Sequence, residues 1–148
     1  FKKKEEDPKQ VIDPRIAFII TDILKEAATR GTAKKVSELG RPDFAGKTGT
    51  TNKAESTWFT GYNDQIVTSV WVGFDQPRSL GDREFGSSIA LPIWLNYKQN
   101  IIDNIPVSAE LPPDGLSIIK IDKDTGEKAK PDSENLMFEY FLEENTPN

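Results

Sequence analysis

The sequence predicts an α+β fold, an antiparallel sheet with flanking helices. Three observations carry this. Apolar residues recur at helical spacing between residues 14 and 29. Three strand-like runs with short connections follow between residues 44 and 75, and a second helical run begins near Ala90. Helix, three consecutive strands, helix is the order of a meander with helices packed against it.

Residues 1–10 are charged, contain Pro8 and read as an N-terminal linker. Asp13-Pro14 is a helix start, because Asp caps free amides and Pro suits the first helical position. Ile16, Ile19, Ile20, Ile23, Leu24 and Ala27 then share one face, and Gly31 is the stop signal. That face reads as core. Thr32 to Leu39 reads as a short helix ended by Gly40, and Pro42 breaks the chain. Phe44 to Thr51, Ser56 to Tyr62 and Gln65 to Asp75 read as strands. The third has apolar residues on both faces and reads as central and covered on both sides. Residues 76–88 form a loop. A helix from about Ala90 to Asp103 follows, with Ile93, Trp94, Tyr97, Ile101 and Ile102 on one side. Prolines at 106, 112 and 113 mark a change of composition. Residues 11–103 therefore read as one unit and 104–148 as a C-terminal extension, with Leu116 to Asp122 as an edge strand.

A length of 148 residues suits one domain or part of a larger one. The net charge of −5 disfavours a nucleic-acid partner, and Lys2-Lys3-Lys4 sits beside Glu5, Glu6 and Asp7. With no histidine and no cysteine, Ser-His-Asp and Cys-His catalysis, and zinc or haem sites built on those ligands, are excluded within the chain. Acid–base work falls to Lys, Asp, Glu or Tyr. No run approaches the roughly 18 apolar residues of a membrane span, and no signal peptide opens the chain, so any anchor is expected outside it.

The stretch with chemical promise is Gly46-Lys47-Thr48-Gly49-Thr50. One reading is a threonine-rich strand with an exposed lysine. A phosphate loop fails, because its first glycine would fall on Arg41 and a strand rather than a helix follows. The third reading is the Lys-Thr-Gly element of penicillin-reactive serine enzymes. Its logic suits the residues. An edge strand can pair with an extended peptide. Lys47 offers positive charge and proton exchange, and the Thr48 and Thr50 hydroxyls can bind a carboxylate. Gly49 allows close backbone approach, and the Thr50 amide can donate to an oxyanion.

Further runs make the match specific. Ala45 to Asn52, Trp58-Phe59-Thr60-Gly61-Tyr62, Val70 to Asp75, Ala90-Leu91-Pro92-Ile93-Trp94 and the turn Arg30-Gly31-Thr32-Ala33 stand in the order found in class A penicillin-binding proteins. The chain resembles that family, most nearly its 1a type, over about residues 14–103, and residues 104–148 only weakly. The resemblance implies the C-terminal part of a transpeptidase domain of the penicillin-binding and serine β-lactamase-like fold. It implies a peptidoglycan D,D-transpeptidase that cross-links stem peptides through an acyl-serine and is acylated by β-lactams. No cofactor is implied for that reaction. By matched position, Lys47 and Thr50 are catalytic, and Lys47, Thr48, Gly49 and Thr50 bind substrate. The implied parent is a cell-envelope protein, anchored in the inner membrane with this domain facing the periplasm, that also polymerises glycan. Its partners are peptidoglycan stem peptides, β-lactam antibiotics and the preceding part of the same protein.

The family's S-x-x-K and S-x-N motifs should precede Lys47, and nothing before residue 47 fits either. Ser117-Ile118-Ile119-Lys120 and Ser133-Glu134-Asn135 fit by letters only. The first alternates like a strand, which sends Ser117 and Lys120 to opposite faces. The nucleophile is therefore expected outside the chain, in the preceding segment. The alternatives are a non-catalytic β-lactam or peptide sensor of the same fold and a serine β-lactamase. Trp58, Trp71, Trp94, Phe74 and Tyr62 read as core, and Glu55 and Asp75 as candidates to border the groove.

Overall fold

Helix α1 (Pro14–Thr29) begins where its capping chemistry puts it. In the computed structural model, which describes residues 9–147, the Arg15 amide donates to Asp13 Oδ1 at 2.8 Å. The helix ends against Gly31, where a Cβ would lie 2.9 Å from the Ala27 backbone. The linker reading of residues 1–8 falls outside the described residues. Residues 34–39 wind as a 3-10 helix closed by Gly40 at φ 65°, a conformation glycine adopts at no steric cost.

Three antiparallel strands follow: β1 (Ala45–Thr50), β2 (Ser56–Tyr62) and β3 (Val67–Gly73). Their order is β1-β2-β3. Lys47 lies opposite Thr60 and Thr48 opposite Phe59, and Thr60 and Phe59 lie opposite Ser69 and Val70. Asn63 makes the β2–β3 turn, its Oδ1 accepting from the Gln65 and Ile66 amides, each at 3.1 Å. Helix α2 (Ala90–Ile101) covers one face. Its Trp94 ring meets Phe59 at 5.0 Å and Phe44 at 5.5 Å, both edge to face. The Trp94 indole N–H donates to Thr68 O at 3.1 Å. A Cβ at Gly61 would come within 2.6 Å of that indole, so the helix seats this close only over glycine. The core is Phe44, Phe59, Leu91, Trp94, Leu95 and Val36, with small Ala28, Ala33 and Ala90 at the contacts.

Three expectations are corrected. β2, not β3, is the middle strand, and β3 has one bare face, with Val67 68% and Trp71 47% exposed. Trp58, Trp71 and Phe74 are likewise surface residues, while Trp94 is fully buried. The apolar stripe of α1 is not core either, since Ile16, Ile20 and Ile23 are exposed and Phe18 and Ala28 are the buried residues. These side chains have the spacing of a buried face, but no neighbour among the described residues covers them.

The face of α2 also differs from the expected one. Leu91, Trp94, Leu95 and Lys98 point inward, whereas Ile93 and Tyr97 point out. Lys98 is fully buried, and its Nζ has no hydrogen-bond partner among the described residues. The rings of Trp94, Phe44 and Tyr97 surround it at 5.3–5.6 Å, close enough for cation–π attraction. Burial pushes its pKa below the ordinary 10.5. The folded state therefore binds fewer protons than the unfolded chain in that interval, and stability rises with pH there. Lys98→Met is expected to stabilise the protein by about 1–3 kcal/mol, the cost of a buried unsatisfied group. It is also expected to flatten the gain between pH 7 and pH 10, and thermal unfolding at both pH values tests this. A melting temperature lower than that of the unmodified protein at both would refute it.

Residues 105–108 belong with the sheet unit. Arg41 donates to Ile105 O at 2.8 Å and Pro106 O at 2.9 Å, and the Ser108 amide donates to Asp43 Oδ2 at 3.1 Å. The chain divides into Thr21–Glu110 and, separately, Phe1–Ile20 with Leu111–Asn148. In the second unit β4 (Leu116–Asp122) pairs antiparallel with β5 (Leu136–Leu142), which the sequence had not revealed. Phe18 meets Tyr140 edge to face at 4.9 Å, and Arg15 reaches Glu144 at 3.0 Å. Ser117 and Lys120 lie on opposite faces of this hairpin, as strand alternation requires. Ser133 sits in the connecting turn, accepting from the Lys130 amide at 3.1 Å.

Candidate functional site

Strand pleating assigns the side chains of β1. Thr48 and Thr50 pair with Phe59 and Thr57, two of the buried residues of β2, and so share the face of α2. Lys47 pairs with Thr60 and stands on the opposite, open face, in one row with Thr60 and Ser69. The Thr60 and Ser69 hydroxyls are 2.9 Å apart. Gly49 continues the open face beside Trp58 and Trp71, whose rings lie 6.4 Å apart. A Cβ at Gly49 would sit 3.3 Å from Trp58 Cβ.

Backbone polarity follows the same alternation. The Thr51 amide donates to Ser56 O at 3.1 Å. Residues 51, 49, 47 and 45 therefore face β2, and the N–H and C=O of Thr50, Thr48 and Gly46 point to the free edge of β1. Lys47 Nζ folds along that edge, donating to Thr48 O at 2.9 Å, with Thr48 Oγ1 3.5 Å away. The edge thus offers backbone donors and acceptors at every second residue, an ammonium on one side and two hydroxyls on the other. This arrangement can hold an extended chain and an anionic group together.

Thr32, from the turn after α1, lies 3.0 Å from Thr48 Oγ1. Thr50 Oγ1 accepts from the Gly86 amide at 3.0 Å. The four residues singled out in the sequence, Lys47, Thr48, Gly49 and Thr50, are consecutive in β1, and the fold adds Thr32 and Gly86 to them. Thr32 had a signal in the Arg30-Gly31-Thr32-Ala33 run. Gly86 had only its place in a glycine-containing loop before a helix. Neither Glu55 nor Asp75 bonds through its side chain to residues 47–50 among the described residues; both lie at the sheet end where Thr50 terminates β1.

A cavity of about 360 Å³ lies between residues 31–35 and residues 87–91, lined by Thr32, Lys34, Lys35, Ser87 and Ser88 above Leu91. A second, of about 380 Å³, is bounded by Thr21, Lys25, Tyr62 and residues 107–110 and includes none of residues 47–50. Among the described residues, no group of three or more acidic side chains could hold a metal ion, and no helix is long and apolar enough to cross a membrane.

Residues 2–96 match the family described as the penicillin-binding protein transpeptidase domain. The chain is 45% identical over 139 residues to penicillin-binding protein 1A of Pseudomonas aeruginosa, covering 94% of this chain and 17% of that protein. To penicillin-binding protein 1A of Neisseria lactamica it is 44% identical over 107 residues, covering 72% and 13%. The crystal structure of penicillin-binding protein 1A from Haemophilus influenzae superposes with a TM-score of 0.86 at 32% identity, over 98% of this chain and 22% of that one. The chain spans about a sixth of the length of the Pseudomonas relative.

Proposed function

Because the chain belongs to the penicillin-binding protein transpeptidase family, we propose that residues 11–103 are the C-terminal part of a peptidoglycan D,D-transpeptidase domain, working with a serine supplied by the preceding part of the same protein. The observation that carries this reading is the free edge of β1, with Lys47 on the open face and the Thr50 amide pointing outward.

A stem peptide lies along that edge and pairs with Gly46, Thr48 and Thr50. Its terminal carboxylate meets the Thr48 and Thr50 hydroxyls and the charge of Lys47. The serine oxygen attacks the carbonyl of the penultimate D-alanine. The negative charge on that oxygen falls beside the Thr50 N–H. The C–N bond breaks, terminal D-alanine leaves as the amine with the proton the serine gave up, and an acyl-serine remains. The amine of a second stem peptide then attacks the ester, forming the cross-link and returning the proton to the serine. A β-lactam follows the first half, its ring amide taking the place of the scissile bond.

Lys47 faces away from α2, so the helix bearing the serine and the Lys one turn later approaches from the bare side of the sheet. Glycan polymerisation, the membrane anchor and the periplasmic setting belong to the remainder of the protein. Labelling the complete protein with a fluorescent penicillin and sequencing the modified peptide tests the assignment. The adduct is expected on a serine that precedes these residues. An adduct on Ser117, or on any other side chain of residues 1–148, would overturn it.

A further inference from the structure

The hydroxyl of Thr50 is held by the loop before α2. The Gly86 amide donates to Thr50 Oγ1 at 3.0 Å. Gly86 is buried against the Gly49–Trp58 pair, and a Cβ there would come 2.5 Å from Trp58 O, 2.8 Å from Gly49 O and 3.1 Å from Gly49 N. The obstructing atoms are backbone, so no side-chain rotation relieves the contact. The absence of a side chain at Gly86 lets the loop reach the strand.

The Gly86 peptide is fixed from the other side as well. Its carbonyl accepts from the Leu91 amide at 2.8 Å, in the first turn of α2. Phe85 O accepts from the Ser88 and Ile89 amides, each at 3.0 Å, and the Phe85 amide donates to Ser88 Oγ at 2.8 Å. The donor is thus set by helix α2, which is itself seated on the sheet through Trp94.

A threonine hydroxyl has one proton to give and two lone pairs. With a fixed N–H on one lone pair, the O–H is directed away from Gly86, and Thr50 is an exposed residue. We propose that Gly86 is a positioning residue, which turns the Thr50 hydroxyl into a donor aimed at the carboxylate of a ligand lying along β1. The inference rests on the transpeptidase reading above and deepens it. Thr48 differs, since its oxygen meets another hydroxyl, that of Thr32, at 3.0 Å, and either can donate.

The test uses the complete protein and compares acylation by benzylpenicillin with acylation by its carboxylate methyl ester. Gly86→Ala is expected to slow reaction with the free acid about tenfold, the loss of one hydrogen bond to a charged group, and to slow the ester far less. In a Thr50→Val background the same change is expected to leave the acid-to-ester ratio where Thr50→Val put it. A loop that merely supports the fold would slow both ligands alike, and that result overturns the proposal. A second measurement leaves Gly86 in place, namely hydrogen exchange of the Gly86 amide. Thr50→Ser keeps the acceptor and is expected to keep the protection, whereas Thr50→Val is expected to lose it. Equal exchange in the two variants overturns the pairing. If benzylpenicillin acylates not even the unmodified protein, the transpeptidase reading falls and the proposal with it. If it does, and the ratio survives Gly86→Ala, only the proposal falls.

Discussion

Lys47→Ala in the complete protein is expected to slow acylation by penicillin about 10²–10⁴-fold, the range for removing a positioned acid–base group. The fold should survive the change. Lys47 is exposed, stands on the uncovered face of the sheet, and its bonds run to its own neighbour, Thr48. No buried partner is left unpaired when the side chain is removed. Rates of labelling by a fluorescent penicillin, read beside the melting temperature, separate the two effects. Acylation at the unmodified rate would sink the assignment of Lys47. A fall in melting temperature large enough to empty the folded state would instead make it a structural residue.

Asp43→Ala is expected to act in the opposite sense, on stability first. Asp43 and Arg41 form a two-pronged ion pair, Nε to Oδ1 at 2.8 Å and Nη2 to Oδ2 at 2.6 Å, with side chains only 2% and 10% exposed. Asn63 and the Ser108 amide add bonds to the same carboxylate. Removing it leaves the Arg41 charge without its counter-ion, a loss of about 3–5 kcal/mol, and takes the acceptor from the Ser108 amide. The pair also predicts acid sensitivity. Burial alone would raise the Asp43 carboxyl, but the hydrogen bonds from Arg41, Asn63 and Ser108, with the charge of Arg41, hold it well below the ordinary 3.8. Its contribution is complete above about pH 5. Below that the unfolded chain takes up a proton that the folded state refuses, and stability drains as pH falls toward the folded-state pKa. Thermal unfolding at pH 7 and pH 3 should show a smaller difference for Asp43→Ala than for the unmodified protein. An equal difference would place the acid sensitivity elsewhere.

The sequence was most legible where chemistry is local. Asp13-Pro14 and Gly31 bracket α1 because capping and glycine conformation act within a turn. The run Gly46 to Thr50 was found because its residues are consecutive. What the sequence concealed depends on residues far apart. Arg41 meets Ile105 and Pro106 across more than sixty positions, which no periodicity announces. Lys98 reads as a polar interruption of a helix, yet it occupies an inward position beside Trp94 and Leu95. β5 carries apolar residues on both sides of Glu139 and has no clean alternation to reveal it. The stripe Ile16, Ile20 and Ile23 shows another limit: spacing tells which side chains share a face, not whether the covering neighbour is in the same chain.

The alternation along β1 has one more consequence, for how the strand tolerates change in length. Side chains and backbone groups both repeat every two residues, so the site has a reading frame. One residue inserted between Ala45 and Lys47 would turn the ammonium toward α2, put the hydroxyls on the bare face and bury the Thr50 amide in the ladder. A second insertion would restore the frame, one step along. The motif is thus tied to the odd and even positions of its neighbour β2, and variants of this strand are permitted in pairs where they are forbidden singly.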